Sequence, residues 1–177
     1  TNASNKITGL VDGLDFTLKN TTTSAESILI AKDTAGIEAK IQAFVDSYNS
    51  YQTTLSSLMD YQDEAGALSG DSTARRIQTA IRAQTTGVIN ISGNVFSSLS
   101  DMGVTSDQYV KLTLKSSDFQ SALSNNSDDL KEFFGGVTTT SGLTDNTDAT
   151  GLADLLAASI DTYVNASTGM LISRENR

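Results

Sequence analysis

From Ile37 to Leu58 apolar positions recur in alternating steps of four and three, Ile37, Ile41, Phe44, Tyr48, Tyr51, Leu55 and Leu58, and Gln62 keeps the spacing. Among the residues between them, Glu38, Lys40, Asp46, Asn49 and Thr53 are polar. This is the spacing of a coiled-coil seam, a helix whose apolar stripe faces another helix along its length. Asp33 and Thr34 are good helix caps, so the pattern predicts a helix over 34–63. A straight helix from Ile37 to Gln62 reaches roughly 40 Å at about 1.5 Å per residue. A loop follows at Gly66 to Gly70, and Asp71 opens a second helix in which Ala74, Ile77, Ile81 and Gln84 continue the spacing up to Gly87. So short a connection makes the two helices antiparallel neighbours whose seams can close on each other. Asp71 lies four residues before Arg75, the favourable order for a helical ion pair.

The first 32 residues have a different period. Leu14, Phe16 and Leu18 alternate with Asp15, Thr17 and Lys19, as in a half-buried strand. Ser27 to Ala31 is a second candidate strand across a turn at 20–24, and a short strand around Ile7 precedes a turn between Gly9 and Gly13. Farther on, 88–98 has no clear period, Leu99 to Gly103 reads as a turn, and Val104 with Leu112 to Leu114 suggests a small hairpin. Ser117 and Gln120 have the capping-box spacing and start a short helix through Leu123. Ser127, Asp128 and Asp129 start another, stopped by Gly135 and Gly136. Residues 137–150 are rich in Thr, Ser and Asp and read as a mobile loop. The last helix carries Leu152, Leu155, Leu156, Ile160, Tyr163 and Val164 on one face, and Gly169 bends it before Met170 and Leu171.

The expected fold is mainly α with a small β part. A coiled-coil-like antiparallel bundle of long helices with a short β-hairpin occupies 33–177, and 1–32 supplies the C-terminal strands of a preceding β domain. The chain begins Thr-Asn and ends without a stop signal, which reads as a segment of something longer.

Composition narrows the chemistry. The 177 residues include 38% hydrophobic and 6% aromatic positions with no Trp, enough for a thin aliphatic core. A net charge of −9 argues against nucleic acid and anionic membrane surfaces, which need concentrated Lys and Arg. Cys and His are absent, which removes disulfides, thiolate nucleophiles, imidazole bases and most transition-metal sites. No apolar run reaches membrane-spanning length, and no stretch of the sequence reads as a signal peptide. No nucleotide-binding glycine motif, hydrolase elbow or metal-ligand cluster occurs, so no catalytic, cofactor or metal residues are expected.

Three groups of side chains are nonetheless candidates. Asp60, Asp63 and Glu64 crowd the end of the long helix, an arrangement expected of a solvated helix end in an acidic protein. Asp145, Asn146 and Asp148 faintly resemble a calcium loop, but Thr150 stands where that loop needs Gly. Arg75, Arg76 and Arg82 are the only dense basic group. Arg75 and Arg82, one heptad apart, share a face that can grip a carboxylate on a neighbouring subunit or pair within the chain.

These residues together resemble a known family. The run Ile41-Gln-Ala-Phe-Val-Asp-Ser-Tyr-Asn49, the segment Gly66-Ala-Leu-Ser-Gly-Asp-Ser-Thr-Ala-Arg-Arg-Ile-Gln-Thr-Ala-Ile-Arg82, and Leu99-Ser-Asp-Met-Gly-Val104 with Lys111-Leu-Thr-Leu114 follow one another as in the bacterial flagellar hook-associated protein 2 family of filament caps. Gly13-Leu-Asp-Phe-Thr-Leu18 and Gly169-Met-Leu-Ile-Ser-Arg174 are similar to its returning β strand and its next helix. The resemblance implies a helical domain after the tail of a β domain, in a protein exported through the flagellar secretion system to the extracellular filament tip. There a ring of subunits promotes flagellin folding and insertion, with no cofactor. It also implies self-association and contact with flagellin, junction proteins between hook and filament and, in some bacteria, host mucin. Arg75, Arg76 and Arg82 are then candidate contacts to a subunit or to flagellin. Two other readings compete. Another hook-associated protein or a flagellin also carries heptad helices, but the Gly70 to Arg76 segment and the hairpin after Gly103 count against it. A surface adhesin or glycan-binding module is disfavoured by the scarcity of aromatic residues.

Overall fold

A computed structural model of the chain describes residues 4–11, 14–28, 31–61, 66–136 and 151–165. It separates into a unit Thr1–Lys32 and a unit Asp33–Arg177. The loop 137–150, the bend at Gly169 and the residues Gln62, Asp63, Glu64, Asp145, Asn146 and Asp148 lie outside the described residues.

In the first unit β1 (Lys6–Val11) pairs antiparallel with β2 (Leu14–Thr17), placing Ile7 opposite Phe16 and Lys6 opposite Thr17. The register is irregular between Thr8 and Val11. Lys6 and Asp15 form an exposed ion pair at 2.9 Å. The partner of β2 is therefore the segment before it. The alternative partner predicted after it, Ser27 to Ala31, has no strand over its described residues, and Ile28 is 70% exposed. Pairing with the sequence neighbour closes the shorter loop, which costs less chain entropy.

The second unit begins with α1 (Thr34–Met59). Asp33 caps it, its side chain accepting from Gly36 N at 2.9 Å, and the backbone turns extended at Asp60. The next helix, α2 (Ser72–Thr86), is capped by Asp71, whose Oδ1 accepts from Thr73 N at 2.7 Å and Ala74 N at 3.1 Å. Arg75 donates to the Gly70 carbonyl at 3.0 Å, so its guanidinium ties down the turn before the helix. Two bonds fix the direction of the pair: Leu68 N donates to Leu58 O at 2.9 Å and Gln78 Nε2 to Gln52 Oε1 at 3.1 Å. Partners rise along one helix as they fall along the other, so α1 and α2 are antiparallel.

Residues 88–98, which lack periodicity, supply three core side chains, Ile89, Ile91 and Phe96. Their path is held by hydrogen bonds instead of by a regular element. Ile89 N donates to Ser97 O at 2.7 Å, and Asn94 Nδ2 donates to the Asp129 carbonyl at 2.8 Å. A 3-10 turn (Leu99–Met102) follows, then β3 (Val104–Ser106) and β4 (Leu112–Leu114), an antiparallel hairpin as predicted. Asp101 closes the 3-10 turn by accepting from Ser97 N and Ser98 N, bonds that hold its carboxyl below the usual range. Gly103 ends the turn in the left-handed region at φ 85°, where its N–H bonds back to Leu99 and Ser100. At the hairpin tip Val110 adopts φ 65°, a conformation that costs a β-branched residue about 1–3 kcal/mol.

Three further helices follow among the described residues: α3 (Ser116–Asn125), α4 (Ser127–Gly135) and α5 (Leu152–Val164). The capping box predicted at Ser117 and Gln120 does not form. The cap lies two residues earlier, at Lys115, and Gln120 instead donates to Glu38 of α1 at 2.7 Å, alongside Ser116. Those two bonds lower the Glu38 carboxyl from its ordinary value. The deepest core joins these helices to the 3-10 turn: Phe119, Phe133 and Met102 are fully buried and Leu152 nearly so. Phe133 meets Phe134 edge to face, with ring centres 5.3 Å apart. Gly136 ends α4 at φ 74°, and Gly151 lies directly against it. A Cβ on Gly151 would come within 2.3 Å of Gly136 N and 2.4 Å of Phe134 O.

Candidate interaction surfaces

The predicted seam of α1 is distributed over two environments. Tyr48 is buried, Ile37, Ile41, Phe44 and Tyr51 are half-buried against the core, Leu55 is half-buried, and Leu58 is 38% exposed. The most buried row of the helix is Val45, Tyr48 and Gln52. An α-helix of 3.6 residues per turn drifts across a strict heptad stripe, so a row chosen by sequence spacing leaves the contact line. Val45, between two seam positions, takes the place that Leu58 does not.

The half-buried seam residues open onto a groove. Phe44, Tyr51 and Leu55 from α1, Ile77 and Ile81 from α2, and Ile160, Tyr163 and Val164 from α5 line an apolar trough of about 580 Å³. Ile160 and Val164 are 47% and 55% exposed, so the far end of α5 is a ridge along an open channel. Burial raises the Tyr48 and Tyr51 phenols above their ordinary value, so both stay protonated at neutral pH. Gln52 Nε2 donates to Tyr48 Oη at 2.9 Å, whereas the buried Tyr51 hydroxyl has no hydrogen-bond partner among the described residues.

A side chain that periodicity treats as surface, Asn49, holds α1 to the hairpin. Its Nδ2 donates to Leu112 O at 2.8 Å and its Oδ1 accepts from Leu112 N at 2.7 Å, so one amide satisfies both backbone groups of a buried strand residue. The only sequence signal is its place beside Tyr48, one turn on from Val45. Asn49→Ala is expected to cost about 1–3 kcal/mol by stranding both Leu112 groups. Urea titration checks this, and Asn49→Asp should recover little because a carboxylate cannot donate to the carbonyl.

Arg75, Arg76 and Arg82 are all exposed, and among the described residues none of them forms an ion pair. Arg75 and Arg82 share one side of α2, and Arg82 borders a second, polar groove of about 790 Å³. That groove runs between α1, α2 and the tip of the β3–β4 hairpin, with Gln52 and Gln78 on its walls and Asp107, Tyr109 and Lys111 at the hairpin side. Among the described residues no group of three or more acidic side chains is placed to hold a metal ion, and no helix is long and apolar enough to cross a membrane.

Comparison with known proteins adds to this geometry. The sequence profile of the family described as flagellar hook-associated protein 2 C-terminus matches residues 1–177. The chain is 36% identical over 113 residues to flagellar hook-associated protein 2 of Salmonella typhimurium, covering 59% of this chain and 24% of that protein. It is 31% identical over 160 residues to the protein of the same name from Aeromonas caviae, covering 86% of this chain and 32% of the relative. A lateral flagellar hook-associated protein 2 of Vibrio parahaemolyticus is 32% identical over 142 residues, covering 77% of this chain and 31% of its own length. The chain thus spans between a quarter and a third of these relatives. Among solved structures, the D1-D2-D3 domains of the flagellar cap protein FliD from Escherichia coli superpose with a TM-score of 0.79 at 26% identity, over 99% of this chain and 45% of that one.

Proposed function

The chain belongs to the flagellar hook-associated protein 2 family, in its C-terminal part, and from that premise we propose that it is the helical portion of a filament cap. In this reading the parent protein assembles with copies of itself at the extracellular tip of the flagellum and promotes the folding and insertion of exported flagellin. It makes and breaks no covalent bond. Its work consists of burying and releasing weak binding surfaces as subunits move. Junction proteins and a host mucin are further partners of the same reading.

One observation carries it. The long antiparallel helices leave an apolar channel and an exposed arginine face that forms no ion pair among the described residues. Such surfaces suit assembly, because they offer apolar area and charge to a partner. The test is genetic. A strain lacking its own cap, given the full-length parent, is expected to stop leaking monomeric flagellin into the medium and to regain filaments. Continued leakage with normal export of the parent would reject the reading.

A further inference from the structure

The apolar trough extends to the very end of α5. It follows that helix from Leu156 to Val164, its last residue, and Leu68 of the α1–α2 connection also lines it. On its rim Ile160 and Val164 stand 47% and 55% exposed. Tyr51 lines it too, and the buried hydroxyl of that residue has no hydrogen-bond partner among the described residues. A trough of about 580 Å³ that leaves apolar rims in water and a phenol unsatisfied calls for a cover.

The sequence after α5 supplies one. The helix stops at Asn165, whose backbone leaves the helical region at φ −54° and ψ 126°. Asn165 N donates to Asp161 O at 3.0 Å and its side-chain amide to the Asp161 carboxylate at 3.1 Å, so the stop is built in. Four small residues, Ala166-Ser-Thr-Gly169, then lead to three consecutive large apolar ones, Met170-Leu171-Ile172. Four residues reach at most about 14 Å when extended, so this run begins beside the open end of the trough. The other stretches outside the described part of the unit fit less well. Residues 62–65 carry two acids and no large apolar side chain. Residues 137–150 have Val137 and Leu143 as their large apolar side chains, and they join α5 at its opposite end, before Gly151.

We propose that Met170, Leu171 and Ile172 fold back over the trough and mask it, so that its occupant is the chain's own apolar run. The run also brings backbone carbonyls, the acceptors that the Tyr51 hydroxyl lacks. Arg174, Glu175 and Arg177 follow at once and favour water, which limits the cover to the trough. So short a tether holds the run at high local concentration against any apolar segment of another molecule. The trough is therefore a masked surface, which a partner reaches only by displacing the run. This goes beyond the cap reading and does not depend on it.

The chain contains no cysteine, so one introduced thiol reports one position. The test compares maleimide alkylation of Ile160→Cys, on the trough rim, with that of Thr79→Cys, exposed on α2 outside the trough. Ile160→Cys is expected to react about tenfold or more slowly, because the run must lift before the reagent enters. Adding Leu171→Glu, or ending the chain after Asn165, should raise its rate to that of Thr79→Cys, which neither change affects. Equal rates for the two thiols in the intact chain overturn the proposal, as does an Ile160→Cys rate indifferent to Leu171→Glu. Protection that fades on dilution, or that appears only when flagellin is added, assigns the trough to a second copy or a partner and overturns it as well. Loss of the helical circular dichroism in both variants makes the run part of the core instead of a displaceable cover, and also overturns it. Complementation of a capless strain by the unaltered parent tests the cap reading alone, so the two failures are distinguishable.

Discussion

Phe119→Ala is expected to lower the stability of the helical unit by about 3–5 kcal/mol. The ring is fully buried on α3, packed in the cluster that holds Met102 of the 3-10 turn, Val104 of β3 and Phe133 of α4. Truncation removes the transfer free energy of the ring and leaves a cavity bordered by elements that hold one another in place, so little collapse can recover the loss. Whole-domain stabilities are about 5–15 kcal/mol, so this one change consumes a large share of the margin. Guanidinium titration checks it. The midpoint should fall with the slope unchanged, and a loss below about 1 kcal/mol would show that the cluster is not where the unit is held together.

Gly103→Ala should cost about 2–4 kcal/mol, which is large for the addition of a methyl group. Two penalties combine. The backbone sits at φ 85°, where a Cβ is penalised by its own chain, and that Cβ would come within 2.8 Å of the Asp118 Cβ and 3.1 Å of the Lys115 carbonyl oxygen. Neither neighbour can step aside, because Lys115 N donates to the Gly103 carbonyl at 2.8 Å and begins α3. Comparison with Gly93→Ala separates the terms. Gly93 has φ 84° but nothing within 4 Å of its built Cβ, so it should lose only the conformational part. Equal melting temperatures for the two variants would refute the steric half of the account.

Most of the helical framework was legible in the chain because short-range physics sets it. Asp33 and Asp71 each cap the helix they precede, Gly136 stops α4, and the α1 spacing announces a long amphipathic rod. What periodicity did not disclose depends on long-range contacts. Ile89, Ile91 and Phe96 are core residues in a segment with no regular element, and only the bonds from Asn94 and Ser97 fix their direction. The Ser117–Gln120 box lost to a partner 82 positions away in sequence, Glu38, because Gln120 reaches across to α1. The same reasoning explains Asn49, whose role depends on a strand 63 residues later. The site was less legible than the fold. The arginines stand out in an acidic chain, but Tyr109 becomes notable only once Val110 beside it is seen in an unusual conformation.

The abutment of Gly151 on the end of α4 has an evolutionary corollary. The chain leaves α4 and enters α5 at nearly one point, Gly136 against Gly151. Doubling the length of a connection between two such neighbouring ends costs only about 0.6 kcal/mol of closure entropy. Selection can therefore lengthen, shorten or rewrite the intervening Thr- and Ser-rich stretch from lineage to lineage without renegotiating the helices, so long as the two glycines at its base are kept.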